Sequence, residues 1–214
     1  TNLIMPTQAV FPIPIYYEQS IDEEYENIQS ELYKIFNLVR FTNNNDNNHD
    51  LSLDRDDKMF SDNQIVKYKC NNLINFIHHS MVDYFKSLNI SDNLEINHDY
   101  IIKNSWFTKT NKGQKAPLHY HGDADISGVY YLQTNGNDGN LNYHSPHRGL
   151  ESSFIYSKIE HSLPMLLNQG LLALWPGNVW HDTLVNLTDH ERISVSFNIQ
   201  VSRKGFKVDP DQLY

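Results

Sequence analysis

A mainly β fold of the α+β class is what this sequence predicts: a double-sheet jelly roll, or double-stranded β-helix, with two long helices packed on one sheet. Two observations lead there. Helical periodicity is confined to roughly the first 95 residues. Beyond them the chain turns to short segments rich in Ile, Tyr, Val, Phe and Trp, divided by turn residues, which is the texture of antiparallel strands. With helices only at the front and closely spaced strands behind, the economical architecture is a β roll with the helices laid over one of its sheets. Residues 1–214 read as one domain, with 1–95 mostly helical support and 96–214 the β core.

The elements follow in order. Ser20-Ile-Asp-Glu23 reads as a capping box, and Ile21, Tyr25, Ile28, Leu32, Ile35, Phe36 and Val39 recur behind it at helical spacing, so a first helix runs to about Arg40. Thr42 to Asp57 is dense in Asn and Asp and lacks apolar periodicity. It reads as a solvated, mobile loop, and not as a calcium loop, since the ordered Gly turn of one is missing. A second box, Ser61-Asp-Asn-Gln64, opens a helix through Ile65, Tyr68, Leu73, Phe76, Ile77, Met81, Tyr84, Phe85 and Leu88. His78 and His79 on it are sequential, about 100° apart around the axis, and so are unsuited to joint chelation. The strands expected are Asp99–Thr110, Ala116–His121, Ser127–Gln133, Asn140–His144, Leu171–Trp175, Thr183–Asn186 and Arg192–Val201, with turns at Asn135-Gly-Asn-Asp-Gly139 and Pro176-Gly-Asn178.

Composition narrows the function. A formal charge of -9 argues against a nucleic-acid partner, because phosphate-backbone binding is driven by clustered Lys and Arg. No apolar run approaches the roughly 20 residues needed to span a bilayer. The amino terminus lacks a basic segment followed by an apolar one, and the one cysteine, Cys70, has no disulfide partner, so a reducing, cytoplasmic setting is expected. Asn89-Ile-Ser91 and Asn186-Leu-Thr188 match the glycosylation pattern and, without a secretion signal, read as chance.

Chemistry concentrates in Pro117-Leu-His-Tyr-His-Gly-Asp123. Residues two apart on a strand face the same way, so His119 and His121 would project together into the roll and form a metal-binding pair. About 60 residues on, an apolar strand and a Pro-Gly turn deliver His181, the third point of a facial site that leaves the opposite coordination positions open. Arg192-Ile-Ser-Val-Ser-Phe-Asn-Ile199 then alternates polar Arg192, Ser194, Ser196 and Asn198 with apolar Ile193, Val195, Phe197 and Ile199. A half-polar strand facing the interior implies a bound polar ligand. Arg192 offers a bidentate fork for a carboxylate, and Ser194 can add a hydroxyl to the same oxygens.

Ala9-Val-Phe-Pro-Ile-Pro-Ile15, His119-Tyr-His121, Ser127-Gly-Val-Tyr-Tyr-Leu132, Trp175-Pro176, His181 and Arg192-Ile-Ser-Val-Ser-Phe-Asn198 together resemble the 2-oxoglutarate/Fe(II)-dependent oxygenases of the marine bacterial and phage type, an H-x-H variant of the facial-triad jelly roll. The resemblance is dense from about residue 104 onward. It implies Fe(II), 2-oxoglutarate as co-substrate and O2, with His119 and His181 as iron ligands and Arg192 with Ser194 on the C5 carboxylate of 2-oxoglutarate. Tyr131 resembles a tyrosine that touches the same carboxylate in related prolyl hydroxylases, with Tyr130 the alternative. In the wider superfamily the residue two after the first ligand is Asp, and here it is His121. Two solutions stay open: a three-histidine site of His119, His121 and His181, which is preferred, or a shifted site in which Asp123 is the alternate ligand.

The function so implied is a dioxygenase, a hydroxylase of a peptidyl or small-molecule substrate, with no membrane partner and a homodimer left open. Two alternatives stand beside it: a non-catalytic metal- or ligand-binding jelly roll, and a three-histidine dioxygenase of the cupin kind that does not use 2-oxoglutarate. Trp106, Tyr143 and Trp180, with the segment His144-Ser-Pro-His-Arg-Gly149, are expected to line or cover the mouth, and His144 and His147 are not expected to bind metal.

Overall fold

The computed structural model describes residues 12–44, 49–52, 63–88, 98–146, 154 and 162–203. Two antiparallel sheets and a helical layer make up the fold. The larger sheet is ordered β1-β8-β5-β10-β4-β3-β2, from β1 (Tyr16–Gln19), β8 (Leu171–Pro176), β5 (Ile126–Gln133), β10 (Arg192–Arg203), β4 (His98–Thr110), β3 (His49–Ser52) and β2 (Phe41–Asn44). The smaller is β7-β6-β9, from β7 (Ser162–Pro164), β6 (Leu141–His144) and β9 (His181–Thr183).

Strand parity places two cores on the two faces of the larger sheet. Ile193, Val195, Phe197 and Ile199 of β10 join Tyr130, Leu132, Leu172 and Leu174 against the helices. From the opposite face Val129, Tyr131, Ala173 and Trp175 pack against Leu141 and Tyr143 of the smaller sheet. The helices that cover the first face are α1 (Asp22–Phe36), α2 (Gln64–Lys67) and α3 (Asn71–Ser87). Ile28, Leu32 and Ile35 of α1, Ile65 of α2 and Leu73, Phe76, Ile77 and Met81 of α3 are among the residues they bury. None of the described helices is long and apolar enough to cross a membrane.

Several local expectations give way to tertiary contacts. The Ser20 capping box does not form, and Ile21 stands at the N-cap with no side-chain bond. Ser20 Oγ instead donates to the Gly170 carbonyl at 2.9 Å and lies 3.1 Å from the Tyr130 hydroxyl. The single helix expected from Gln64 to Leu88 is two, because Lys69 takes φ +55 and breaks the ladder between them. The first backbone N–H groups of α3 are met by Glu31 of α1, whose carboxylate accepts from Asn72 and Leu73 at 3.2 Å each. The front of the chain is also less helical than expected: β1 extends one edge of the sheet, and β2 with β3 extends the other where a loop was predicted. The rest of that Asn-rich run, and Ser61 with Asp62 of the second capping box, lie outside the described residues.

Candidate active site

His119 and His121 come from the connection between β4 and β5, which is not the regular strand expected over Ala116–His121. It is extended chain that pairs with β9 at one point: His119 and His181 exchange both backbone hydrogen bonds at 2.9 Å. Pro117 explains the short ladder, having no N–H to give to the next rung. The register slips there, and the Thr183 N–H donates to Ala116 O at 3.2 Å. On the other side the Pro176-Gly177 turn takes over, and the His121 N–H donates to Gly177 O at 2.8 Å. That turn needs glycine, since a Cβ at Gly177 would strike the carbonyl oxygens of Ala124 and His121.

These contacts bring His119, His121 and His181 together, with one nitrogen of each within 4.8 Å of the others. Every ring has its Nδ1 on a pure acceptor: Pro117 O at 2.7 Å from His119, Val179 O at 2.8 Å from His181, and Asn198 Oδ1 at 2.7 Å from His121. Nδ1 therefore carries the proton in all three, and Nε2 is left as the free lone pair, the form in which imidazole binds metal. Burial pushes the pKa of all three down, helped at His121 and His181 by the neighbouring imidazoles; His121 falls to about 4 and His181 lies well below the ordinary value. The cluster is neutral at neutral pH.

The histidines open on a cleft of about 550 Å³, open solvent included, whose walls also carry Trp106, Trp175, Tyr131, Ser194 and Arg192. None of the described residues lining it is acidic. Arg192 is 2% exposed. Its Nη2 donates to Thr110 Oγ1 at 3.1 Å and its Nη1 to Asp138 O at 3.4 Å. Among the described residues no carboxylate comes within 4.0 Å of it. The nearby Asp138 carboxylate is spent elsewhere, on Thr134 Oγ1 at 2.6 Å, the Asn135 N–H at 2.9 Å and His190 Nδ1 at 2.8 Å. Burial draws the Arg192 pKa down, while Tyr131 and Asp138 hold it up, and a guanidinium in this range stays cationic. Ser194 and Tyr131 face each other in the β10–β5 register, both buried, and neither hydroxyl makes a hydrogen bond among the described residues.

The other expected residues divide clearly. Asp123 stands apart from the cluster, its side chain 52% exposed in a 2.8 Å ion pair with Lys103. The hydrogen bond from Lys103 pulls its carboxyl below the usual range. Tyr130 points to the opposite face, where Gln29 Nε2 donates to its hydroxyl at 3.2 Å. Trp106 lies nearly flat on His121, ring centroids 5.8 Å apart at 12°. Tyr143 is buried edge-on against Trp175 at 5.5 Å, so it belongs to the core beneath the site and not to its mouth. Trp180 packs on Tyr120 at 4.6 Å. His144 sits 3.1 Å from Asp182 and outside the cluster, and His147 through Gly149 lie outside the described residues. The contributions of Asn198, Ser127 and Thr110 escaped the sequence reading. Parity put Asn198 on the polar face of β10 but could not say which residue, 77 positions earlier in the chain, would meet it.

Residues 104–198 match the family model described as "Putative 2OG-Fe(II) oxygenase". Among solved structures, a prolyl-4-hydroxylase from Pseudomonas putida aligns with a TM-score of 0.55 at 12% identity, over 88% of this chain and 94% of that one. The non-haem alpha-ketoglutarate-dependent epimerase SnoN of nogalamycin biosynthesis aligns at 0.57 and 11%, over 92% and 88%. A Trichoplax adhaerens prolyl hydroxylase, solved with a hypoxia inducible factor peptide fragment, aligns at 0.52 and 10%, over 86% and 82%. At such identities the likeness is one of fold. No curated protein sequence matches the chain.

Proposed function

We infer that this chain is a non-haem Fe(II), 2-oxoglutarate-dependent oxygenase whose chemistry resides in the stretch that carries the family match. We assign Nε2 of His119, His121 and His181 as the metal ligands, and Arg192, with Ser194 and Tyr131, as the clamp on the far carboxylate of 2-oxoglutarate. One observation supports this above the rest: a buried guanidinium without a carboxylate partner among the described residues lines the same cleft as three neutral, lone-pair-bearing imidazoles. A buried cation left unpaired is costly, so the site as folded calls for an anion, and the hydroxyls of Ser194 and Tyr131 flank the place for it. Asp123 is not assigned a ligand role, because Lys103 already holds its carboxylate.

The donor set suits the metal. Three neutral nitrogens on one side leave room opposite for a chelating co-substrate and oxygen. When bound, Fe(II), 2-oxoglutarate and O2 supply oxidative decarboxylation, one oxygen atom entering succinate as CO2 leaves and the other oxidising the substrate. The protein's own part is to hold and to enclose. Arg192 orients the dicarboxylate from its far end, the three imidazoles keep one tautomer through their Nδ1 partners, and Val129, Leu141 and Trp175 wall the cleft against water. We propose hydroxylation of a peptidyl or small-molecule C–H bond as the outcome. The fold serves prolyl hydroxylation in two of the similar structures and epimerisation in a third.

The test is an anaerobic titration of the protein with Fe(II) and then 2-oxoglutarate. A visible charge-transfer band that grows with 2-oxoglutarate, and succinate release on admitting oxygen, are the expected results. Iron binding with no band and no dependence on 2-oxoglutarate would turn the assignment toward a three-histidine dioxygenase of the cupin kind.

A further inference from the structure

The three imidazoles are not oriented alike. His119 and His181 each donate Nδ1–H to the carbonyl two residues back, Pro117 and Val179, so their orientation comes with the local chain. His121 has no such partner. Its Nδ1–H meets a side chain of another element, Asn198 Oδ1 on β10, at 2.7 Å. Asn198 is 2% exposed, and the same Oδ1 accepts from Ser127 Oγ at 3.0 Å. His121 and Ser127 thus meet on the same amide oxygen, which can accept from both. Trp106 lies nearly parallel to the imidazole, ring centroids 5.8 Å apart at 12°.

We propose that Asn198, held by Ser127, is a positioning residue of the metal centre: it fixes His121 in the tautomer that presents Nε2 and so makes position 121 a site built for an imidazole. A carboxylate at 121 would set acceptor against acceptor at Asn198 Oδ1, so the amide would have to turn over and the Ser127 hydroxyl change from donor to acceptor. Because the partner is an amide and not a carboxylate, the imidazole is oriented without added negative charge. All three Nδ1 partners are then neutral oxygens, and charge compensation is left to whatever anion enters the cleft. This role presupposes that the three histidines hold a metal, as assigned above.

Co(II), added anaerobically to the full chain without 2-oxoglutarate, is the probe. Asn198→Ala should weaken Co(II) binding by about tenfold to a hundredfold and alter the visible d–d bands, since His121 loses its restraint. Asn198→Asp keeps an acceptor of the same shape and should hold affinity within a few-fold of wild type. Ser127→Ala frees the amide and should lose affinity in the same direction by less. Nitrogen-15 spectra of the histidine side chains in metal-free protein add a readout that packing alone would not move: His121 protonated on Nδ1 in wild type and in Asn198→Asp, mixed between tautomers in Asn198→Ala. Unchanged Co(II) affinity and spectrum in Asn198→Ala would overturn the proposal, as would an equal loss in Asn198→Asp. Wild-type protein that binds no Co(II), or His181→Ala that binds it normally, would instead remove the metal assignment itself and this role with it.

Discussion

The two faces of β10 share a backbone and a register yet do opposite work. Toward the helices Ile193, Val195, Phe197 and Ile199 are buried among apolar neighbours and serve stability. Toward the smaller sheet Arg192, Ser194 and Asn198 are just as buried but polar, and Arg192 and Ser194 border the cleft. Burial alone therefore does not distinguish core from site here. What separates Phe197 from Arg192 is whether a buried charge is left for a partner to meet. Phe197 fits beside Gly128, where any Cβ would meet its ring, whereas Arg192 has donors with no carboxylate among the described residues to receive them.

Substitutions should separate the faces. Phe197→Ala is expected to cost most, about 3–5 kcal/mol of unfolding free energy, because it opens a cavity against Leu174 and the helical layer. Chemical denaturation should show the loss, and 2-oxoglutarate binding by the folded fraction should persist. On the opposite face Arg192→Ala should leave metal binding and stability nearly unchanged while lowering 2-oxoglutarate affinity about 100-fold, about 3 kcal/mol. Calorimetric titration of iron-loaded protein measures it. Arg192→Lys should recover only part, since an ammonium cannot reproduce the planar fork.

Acidification should act on the cleft side as well, more gently. The three histidines have pKa values below 6.5 in the fold, so below that pH the unfolded chain binds more protons than the native one and stability falls. For His121 the window runs from 6.5 down to about 4. The melting temperature of metal-free protein should drop across it, and drop less in His121→Gln. The smallest effect belongs to Asp123→Ala, which breaks an exposed ion pair beside the site. Iron retention equal to wild type is the expected result, and loss of iron there would revive the shifted ligand set.

How much of this could be seen in advance follows the range of each interaction. The alternation of β10, β5 and β8, the parity of His119 and His121 and the Pro176-Gly177 turn are encoded within a few residues, because a strand exposes alternate residues to opposite faces whatever lies beyond. The periodic helices around Ile28 and Phe76 were legible for the same reason. The short strands at and near the sheet edges were not: β1, β2, β3 and β7 have three or four residues each, and backbone pairing to a neighbour makes them strands where their own pattern says little.

Longer-range satisfaction of polar groups was decided by the tertiary structure alone. Ser20 leaves its helix for a carbonyl 150 residues away, and Glu31 caps a helix other than its own. Asn198 supplies the orientation of His121, and Asp138 offers Arg192 a backbone oxygen while its carboxylate goes to His190. By itself the sequence determined which residues could carry the chemistry, since residue type and strand parity are local. Which of them meet, in which tautomer and with which lone pair left over, depends on hydrogen-bond partners that only folding brings within about 3 Å.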